Sequence, residues 1–309
     1  MRERVQVNEV GLRDGLQNQP RTLSTQEKLT LVEALRVAGV TRFEATSFVS
    51  PAAVPQMADA DALFPLLQDP EGTTYEALVP NLRGYTRARA AGVRTVCVVL
   101  GATDGFNRSN LKMSLTETIA SCLKVIDAAK TDGLHARAYI SMATACPYEG
   151  PTPPQTVFDL TARMFQGGAE EVIIADSLGA GTPAQIETLF KPLVRDYGAE
   201  RLAGHFHDTR GMGLAMVWAA LGCGIRSFDS SIGGLGGCPF APGATGNLAT
   251  EDLVFMLNES GFETGISSDG LMAAVELAES LLGSRLGGAV ARWHRSSASD
   301  SQARKNYVT

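Results

Sequence analysis

Four histidines occur in this 309-residue chain, and two of them, His205 and His207, sit one residue apart at the end of a β-rich run, LAGHFHD (202–208). Residues i and i+2 of a strand project to the same side, so the two imidazoles face a common point, where they suit a single cation. The same spacing also suits a pair of satisfied core histidines. Carboxylates gather near the other end of the chain. Asp14 and Arg13 follow the run VQVNEVG (5–11), which contains Glu9, and Glu44 lies in RFEATSF (42–48). Two neutral imidazoles, one carboxylate and a few waters or substrate oxygens make an octahedral set for Mg²⁺ or Mn²⁺, and the ligand types also accept zinc. Taken alone, Arg13 beside Asp14 reads as an ordinary surface ion pair. At the mouth of a site, fixed by charge-assisted hydrogen bonds donated to Glu9 and Glu44, it becomes a cation held ready for developing negative charge.

A second chemical signal is GGLGGCPFAPGATGN (233–247), too rich in glycine for regular structure and too poor in charge for a solvated linker. It predicts a mobile loop that carries Cys238 over a site, where a thiol exchanges a proton in a water-poor space. The competing reading is a small residue in a tight turn. Cys97, Cys122 and Cys223 fall within strand or helix patterns and read as packing.

The elements that must position these groups are eight β-rich runs, at 5–11, 42–48, 74–80, 94–100, 135–141, 170–176, 202–208 and 227–233. Amphipathic stretches between them predict βα units and a parallel sheet, closed as a (β/α)8 TIM barrel. Such barrels keep catalytic groups at the C-terminal strand ends, where Asp14, Glu44, Asp176, His205, His207 and Asp208 fall. Ser24 with Glu27 predicts a capped first helix whose inner face is Leu29, Val32, Leu35 and Val37, ended by Gly39. Further helices are expected over 153–167, 182–197 and 211–223. An extra C-terminal helical stretch, 269–287, is expected to cover a barrel end or a subunit contact. No Pro-, Gly- or Ser-rich linker divides the chain, so one domain over 1–309 is expected, with a frayed polar tail from about 289 in which only Trp293 docks.

Composition narrows the function. Hydrophobic residues make up 44% and the formal charge is -6, from 27 basic and 33 acidic residues, which argues against a nucleic-acid binder. No apolar run approaches the roughly 20 residues of a membrane span, and no apolar leader precedes the first strand. Five scattered cysteines without a CxxC pair fit a reducing compartment, so the expected location is the cytoplasm, or the mitochondrial matrix for a processed eukaryotic protein.

Longer motifs add a resemblance. NEVGLRDGLQNQ (8–19), EATSFVSPAAVPQMAD (44–59), PNLRGY (80–85), ACPYEG (145–150), HFHDTRG (205–211) and GGLGGCPFAPGATGNLATEDLVFML (233–257) resemble the 3-hydroxy-3-methylglutaryl-CoA lyases of the barrel metallolyase superfamily. The last is the most specific, because related condensing synthases share the paired histidines without the cysteine loop. The resemblance implies that Asp14, His205 and His207 bind a divalent cation, Mg²⁺ or Mn²⁺, with Asn247 as a further ligand or near-ligand. It implies that Arg13 holds the thioester oxygen, that Cys238 exchanges a proton with the product carbon, and that Glu9, Gln17 and Glu44 shape the site. The implied reaction is retro-Claisen cleavage to acetyl-CoA and acetoacetate, with Asp14 and His207 both open as the base. The acyl-CoA substrate is expected to lay its phosphates near GFNRSNLKMS (105–114), which offers Asn107, Arg108, Asn110 and Lys112. A homodimer is expected from the resemblance and from the prevalence of two-fold assemblies.

Two departures from the family pattern bear on the acyl pocket: Arg210 stands where an aromatic residue is usual, and SMATACPYEG (141–150) differs just before the shared ACPYEG. No cysteine follows Cys238, so the intersubunit thiol link of some relatives is not expected. The rival readings are the same chemistry on a longer 3-hydroxy-3-alkylglutaryl-CoA or a 3-methylmalyl-type thioester, a Claisen-condensing synthase, and a silent CoA-binding barrel.

Overall fold

The computed structural model describes residues 2–67, 72–237 and 246–306. Eight parallel strands close into a barrel: β1 (Gln6–Glu9), β2 (Arg42–Ser47), β3 (Thr74–Leu78), β4 (Thr95–Gly101), β5 (His135–Ser141), β6 (Glu171–Asp176), β7 (Leu202–Phe206) and β8 (Ser227–Ser230). Each pairs with its chain neighbours, and β8 closes on β1 with Asn8 opposite Asp229. All eight expected strands are present; β5 matches its run, β4 is shifted by one residue, and the other six are shorter. Thus β7 ends at Phe206, and His207 lies just beyond it.

Helices pack outside: α1 (Thr25–Val37), α2 (Leu82–Ala90), α3 (Asp104–Leu111), α4 (Leu115–Thr131), α5 (Pro154–Gly167), α6 (Pro183–Tyr197), α7 (Gly213–Gly222), α8 (Thr250–Glu259), α9 (Ser268–Leu282) and α10 (Ala289–Asn306). Reciprocal capping boxes start α1 (Ser24 with Glu27), α4 (Ser114 with Glu117) and α6 (Thr182 with Gln185), fixing where each helix leaves its loop. The inner face of α1 differs from the sequence expectation. Lys28, Leu31, Val32 and Leu35 are buried, Leu29 is half-buried and Val37 is 77% exposed. Lys28 is admitted because its Nζ reaches the Gln56 carbonyl at 2.6 Å and Asp59, leaving no unpaired charge inside.

Helix α9 reaches the turn Ile232–Gly234 that follows β8. It packs beside α1, with Ser267 N donating to the Ala38 carbonyl at 2.7 Å. The tail is not frayed where it begins: α10 is capped by Asp252, whose Oδ2 accepts from Ala289 N and whose Oδ1 accepts from Val290 N, both at 2.8 Å. Ala291 is the buried anchor there, with Val290 partly buried beside it, while Trp293 is 61% exposed.

The main apolar core lies between strands and helices. Inside the barrel the filling is largely polar. Leu78, Cys97, Tyr139, Ile173 and Ala203 form a thin apolar layer. Beneath it Arg137 pairs with Glu76 and with Glu171 (2.6 Å), and Arg42 pairs with Glu76 (2.5 Å) and Glu171 (2.8 Å). Above it the C-terminal strand ends form the mouth.

Candidate metal centre and active-site mouth

After Glu9 the chain makes a wide turn, Gly11–Gly15, in which the amides of Arg13, Asp14 and Gly15 converge on the Val10 carbonyl at 3.1, 2.8 and 3.3 Å. Such π-turns recur at functional sites because the extra residue re-aims the side chains. Here the turn swings Arg13 and Asp14 over the barrel axis. Gly15 is required by close approach: a Cβ there would lie 2.8 Å from Leu235 Cβ and 2.9 Å from Ser231 Oγ.

Arg13 is 8% exposed and fully engaged on two sides. Its Nε and Nη2 reach Glu44 Oε2 at 2.7 and 2.6 Å, and its Nη1 reaches Asp14 Oδ1 at 2.6 Å. Burial pulls against its charge, yet Glu44 and Asp14 outweigh it and raise its pKa further. Asp14 also accepts from Gln17 Nε2 at 3.2 Å and from Asn247 Nδ2 at 2.7 Å. Burial opposes its ionisation, but Arg13 and then the two imidazoles hold its carboxyl well below the usual carboxylate range.

Across the mouth, β7 delivers His205, and the residue after Phe206 extends the line. His207 N donates to the Asp176 carbonyl at 3.2 Å, and His207 bridges Asn247, which brings residues 246–248 alongside. The rings of His205 and His207 are 5.2 Å apart, and Tyr139 stands edge-on to His205 at 5.9 Å. Burial, reinforced by His205, lowers the pKa of His207 to about 3, so it is a neutral imidazole at ordinary pH. Donor atoms of Asp14, His205 and His207 all lie within 4.8 Å of one another. One ionised carboxylate and two imidazoles at this separation fit a divalent cation, and an orphaned buried Nδ1 on His207 marks the site as one that ordinary protein contacts leave incomplete.

The profile of the HMGL-like family matches residues 4–278. The chain belongs to that family. The hydroxymethylglutaryl-CoA lyase of Pseudomonas mevalonii is 43% identical over 85% of this chain and 87% of its own length. The one of Bacillus subtilis is 40% identical over 92% of this chain and 95% of its own, and a crystal structure of B. subtilis HMG-CoA lyase superposes with a TM-score of 0.92 at 39% identity, covering 95% of this chain and 98% of that one.

Within this HMGL-like barrel, the remaining sequence expectations separate. Gln17 and Asn110 line the mouth cavity of about 340 Å³ together with Arg13, Asp14, His205 and His207. Glu44 braces Arg13 from below. Glu9 does neither. Successive strand residues face opposite sides, so while Asn8 points into the barrel, Glu9 points out toward the helices. There it accepts from Gly11 N (2.8 Å), Ile232 N (2.9 Å) and Thr250 Oγ1 (2.6 Å), tying β1 to the turn after β8. Asn107 is also corrected. It is fully buried, and its amide is consumed by Gly101 N, Gly101 O and Thr103 O at 2.9, 2.8 and 2.7 Å, so it shapes the β4–α3 turn rather than meeting substrate. Arg108 pairs with Asp104, and Lys112 Nζ rests on the Ser109 carbonyl at 2.7 Å. Asn247 abuts Asp14 through its amide nitrogen, which also donates to the Leu235 carbonyl at 3.2 Å. Cys238 lies outside the described residues.

Of the two sequence departures, Met142 lines the cavity, whereas Arg210 is exposed and does not. Met142 holds a left-handed backbone (φ 58°), pinned by Thr152 Oγ1 on its carbonyl at 2.7 Å. Sequence reasoning missed Tyr139, Ser141 and Asp229. The i, i+2 spacing of Arg137, Tyr139 and Ser141 on β5 would have placed all three inside the barrel.

Proposed function

We propose that this chain is a divalent-metal-dependent carbon–carbon lyase that cleaves 3-hydroxy-3-methylglutaryl-CoA to acetyl-CoA and acetoacetate. The observation that carries the reading is the convergence of Asp14, His205 and His207 on one point, with Arg13 aimed into the same cavity by Glu44.

The substrate's C3 hydroxyl surrenders its proton, the C2–C3 electron pair passes to the thioester as an enolate, and C2 then takes a proton. Neither candidate base is strong, since His207 titrates near 3 and Asp14 lower still. What a bound Mg²⁺ or Mn²⁺ supplies is acidity at the C3 hydroxyl, so that a weak base suffices. Arg13 holds the thioester oxygen as charge develops there, already desolvated and locked by two carboxylates. Gln17 and Glu44 keep Asp14 and Arg13 in place. Cys238 gives its proton to C2, and Asn247 completes the ring of polar groups. The coenzyme extends out of the mouth past Asn110.

A second reading, a longer 3-alkyl substituent or a 3-methylmalyl thioester on the same catalytic groups, is favoured by the apolar wall of Val49, Val54, Leu78, Val99, Phe106 and Leu111. A Pseudomonas aeruginosa relative, 39% identical, is named 3-hydroxy-3-isohexenylglutaryl-CoA/hydroxy-methylglutaryl-CoA lyase. An Acinetobacter baumannii HMG-CoA lyase, 35% identical with a TM-score of 0.89, was solved with coenzyme A and 3-methylmalate. Specificity constants for the 3-methyl, longer 3-alkyl and 3-methylmalyl thioesters decide between them. The highest value for the 3-methyl substrate supports the first reading, and a preference for either other substrate replaces it.

Exposed Trp218, Phe255 and Trp293 on the neighbouring helices α7, α8 and α10 support a homodimer. No described helix is long and apolar enough to cross a membrane, and free cysteines among the described residues fit the cytoplasm.

A further inference from the structure

β8 runs beside β7 with Asp229 directly opposite His205, and both side chains point into the barrel. Asp229 is 2% exposed. Its Oδ2 lies 3.1 Å from His205 Nδ1, and its Oδ1 accepts from Asn8 Nδ2 at 3.0 Å. Arg137 Nη2 stands 4.0 Å from Oδ1, a looser pairing than those Arg137 makes with Glu76 and Glu171. The carboxylate lines no cavity of the mouth. It meets the candidate site through the His205 imidazole and beside Tyr139, which lines the cavity.

An imidazole that donates from Nδ1 carries its lone pair on Nε2, the atom left to face Asp14 and His207. His207 has no such support: its Nδ1 is buried without a hydrogen-bond partner among the described residues. The barrel therefore presents one aimed imidazole and one unaimed one, and only the register of β8 against β7 explains the difference.

We propose that Asp229 is a positioning residue that fixes His205 in the Nδ1–H tautomer with Nε2 turned toward the divalent cation, and that Asn8 holds Asp229 in place for that purpose. The inference rests on Asp14, His205 and His207 forming a cation site. A carboxylate behind a ligating histidine sets both the ring's orientation and its basicity, and removing such a partner lowers metal affinity by about 10–100-fold.

The test is Mn²⁺ binding to the full-length, metal-stripped protein, reading the free ion by electron paramagnetic resonance. Asp229→Asn keeps the shape and removes the charge, and should weaken Mn²⁺ binding by about 10–100-fold. In a His205→Ala background the same substitution should change affinity by less than about twofold, because its effect passes through the ring. Asn8→Ala, which leaves the carboxylate charged, should give a smaller loss and remains informative where Asp229→Asn does not fold. Long-range proton–nitrogen NMR of the metal-free protein should show His205 protonated on Nδ1. Unchanged Mn²⁺ affinity in Asp229→Asn, an equal loss with and without His205, or a His205 proton on Nε2 would overturn the proposal. A wrong substrate assignment would leave all of these binding results intact and appear only in turnover.

Discussion

At the residue scale the decisive group is Arg13, because a buried guanidinium clamped by Glu44 and Asp14 cannot be exchanged for a point charge. Arg13→Lys should lower kcat by about 10²–10³-fold with a smaller change in KM, measured by steady-state turnover, since the interaction it loses is made mainly in the transition state. Glu9 makes a different prediction. Burial, only partly offset by Thr250, Ile232 and Gly11, raises its pKa from 4.5 to about 7. Between those values the folded state holds more protons than the unfolded chain, so this group's contribution falls as pH rises through that window. Glu9→Gln should remove that fall, about 3 kcal/mol over the window, read from urea unfolding across the same pH range. An unchanged slope would mean that Glu9 stays ionised among its three donors.

The element scale shows what the sequence could and could not reveal. Strand positions and the first helix cap were legible because they rest on local chemistry: β-branched runs, and Ser24 with Glu27. The spacing of His205 and His207 survived even though β7 stops between them, because the chain continues extended against residues 246–248. The wide turn at Gly11–Gly15 was not legible, since nothing in GLRDG distinguishes it from an ordinary strand exit. Glu9 was misplaced for want of parity, which becomes visible only once Asn8 is known to face Asp229. Asn107 was misplaced because a polar loop residue looks the same whether it meets solvent or closes a turn. The turn itself is testable. Gly15→Ala forces its methyl against Leu235 and Ser231, and should destabilise the protein by about 1–3 kcal/mol while lowering kcat through displacement of Arg13 and Asp14. A variant that unfolds like the parent and turns over normally would show that the turn has slack.

For the molecule as a whole, the barrel's interior gives up apolar filling for charge. Arg137, Arg42, Glu76 and Glu171 interlock under the mouth, and the arrangement holds only while every partner is present. Arg137→Met should cost about 3–5 kcal/mol in chemical denaturation, because it leaves two buried carboxylates sharing Arg42 alone, and adding Glu76→Gln should restore part of the loss. The same polar axis continues upward through Asp229 to His205, so the base of the barrel and the metal centre form one connected scaffold. Fold and family were readable from sequence because motifs and βα alternation span the chain. This buried network was not, because its members lie far apart along the chain and are brought together only by barrel closure. The central claim is that the mouth is a metal-dependent lyase site. It is tested most directly by turnover of 3-hydroxy-3-methylglutaryl-CoA by metal-stripped protein, with and without added Mg²⁺ or Mn²⁺, beside His205→Ala. Acetoacetate release that requires the ion and vanishes in the variant is the expected result. Release that proceeds equally without the ion, or no release from folded, metal-loaded protein, would contradict it.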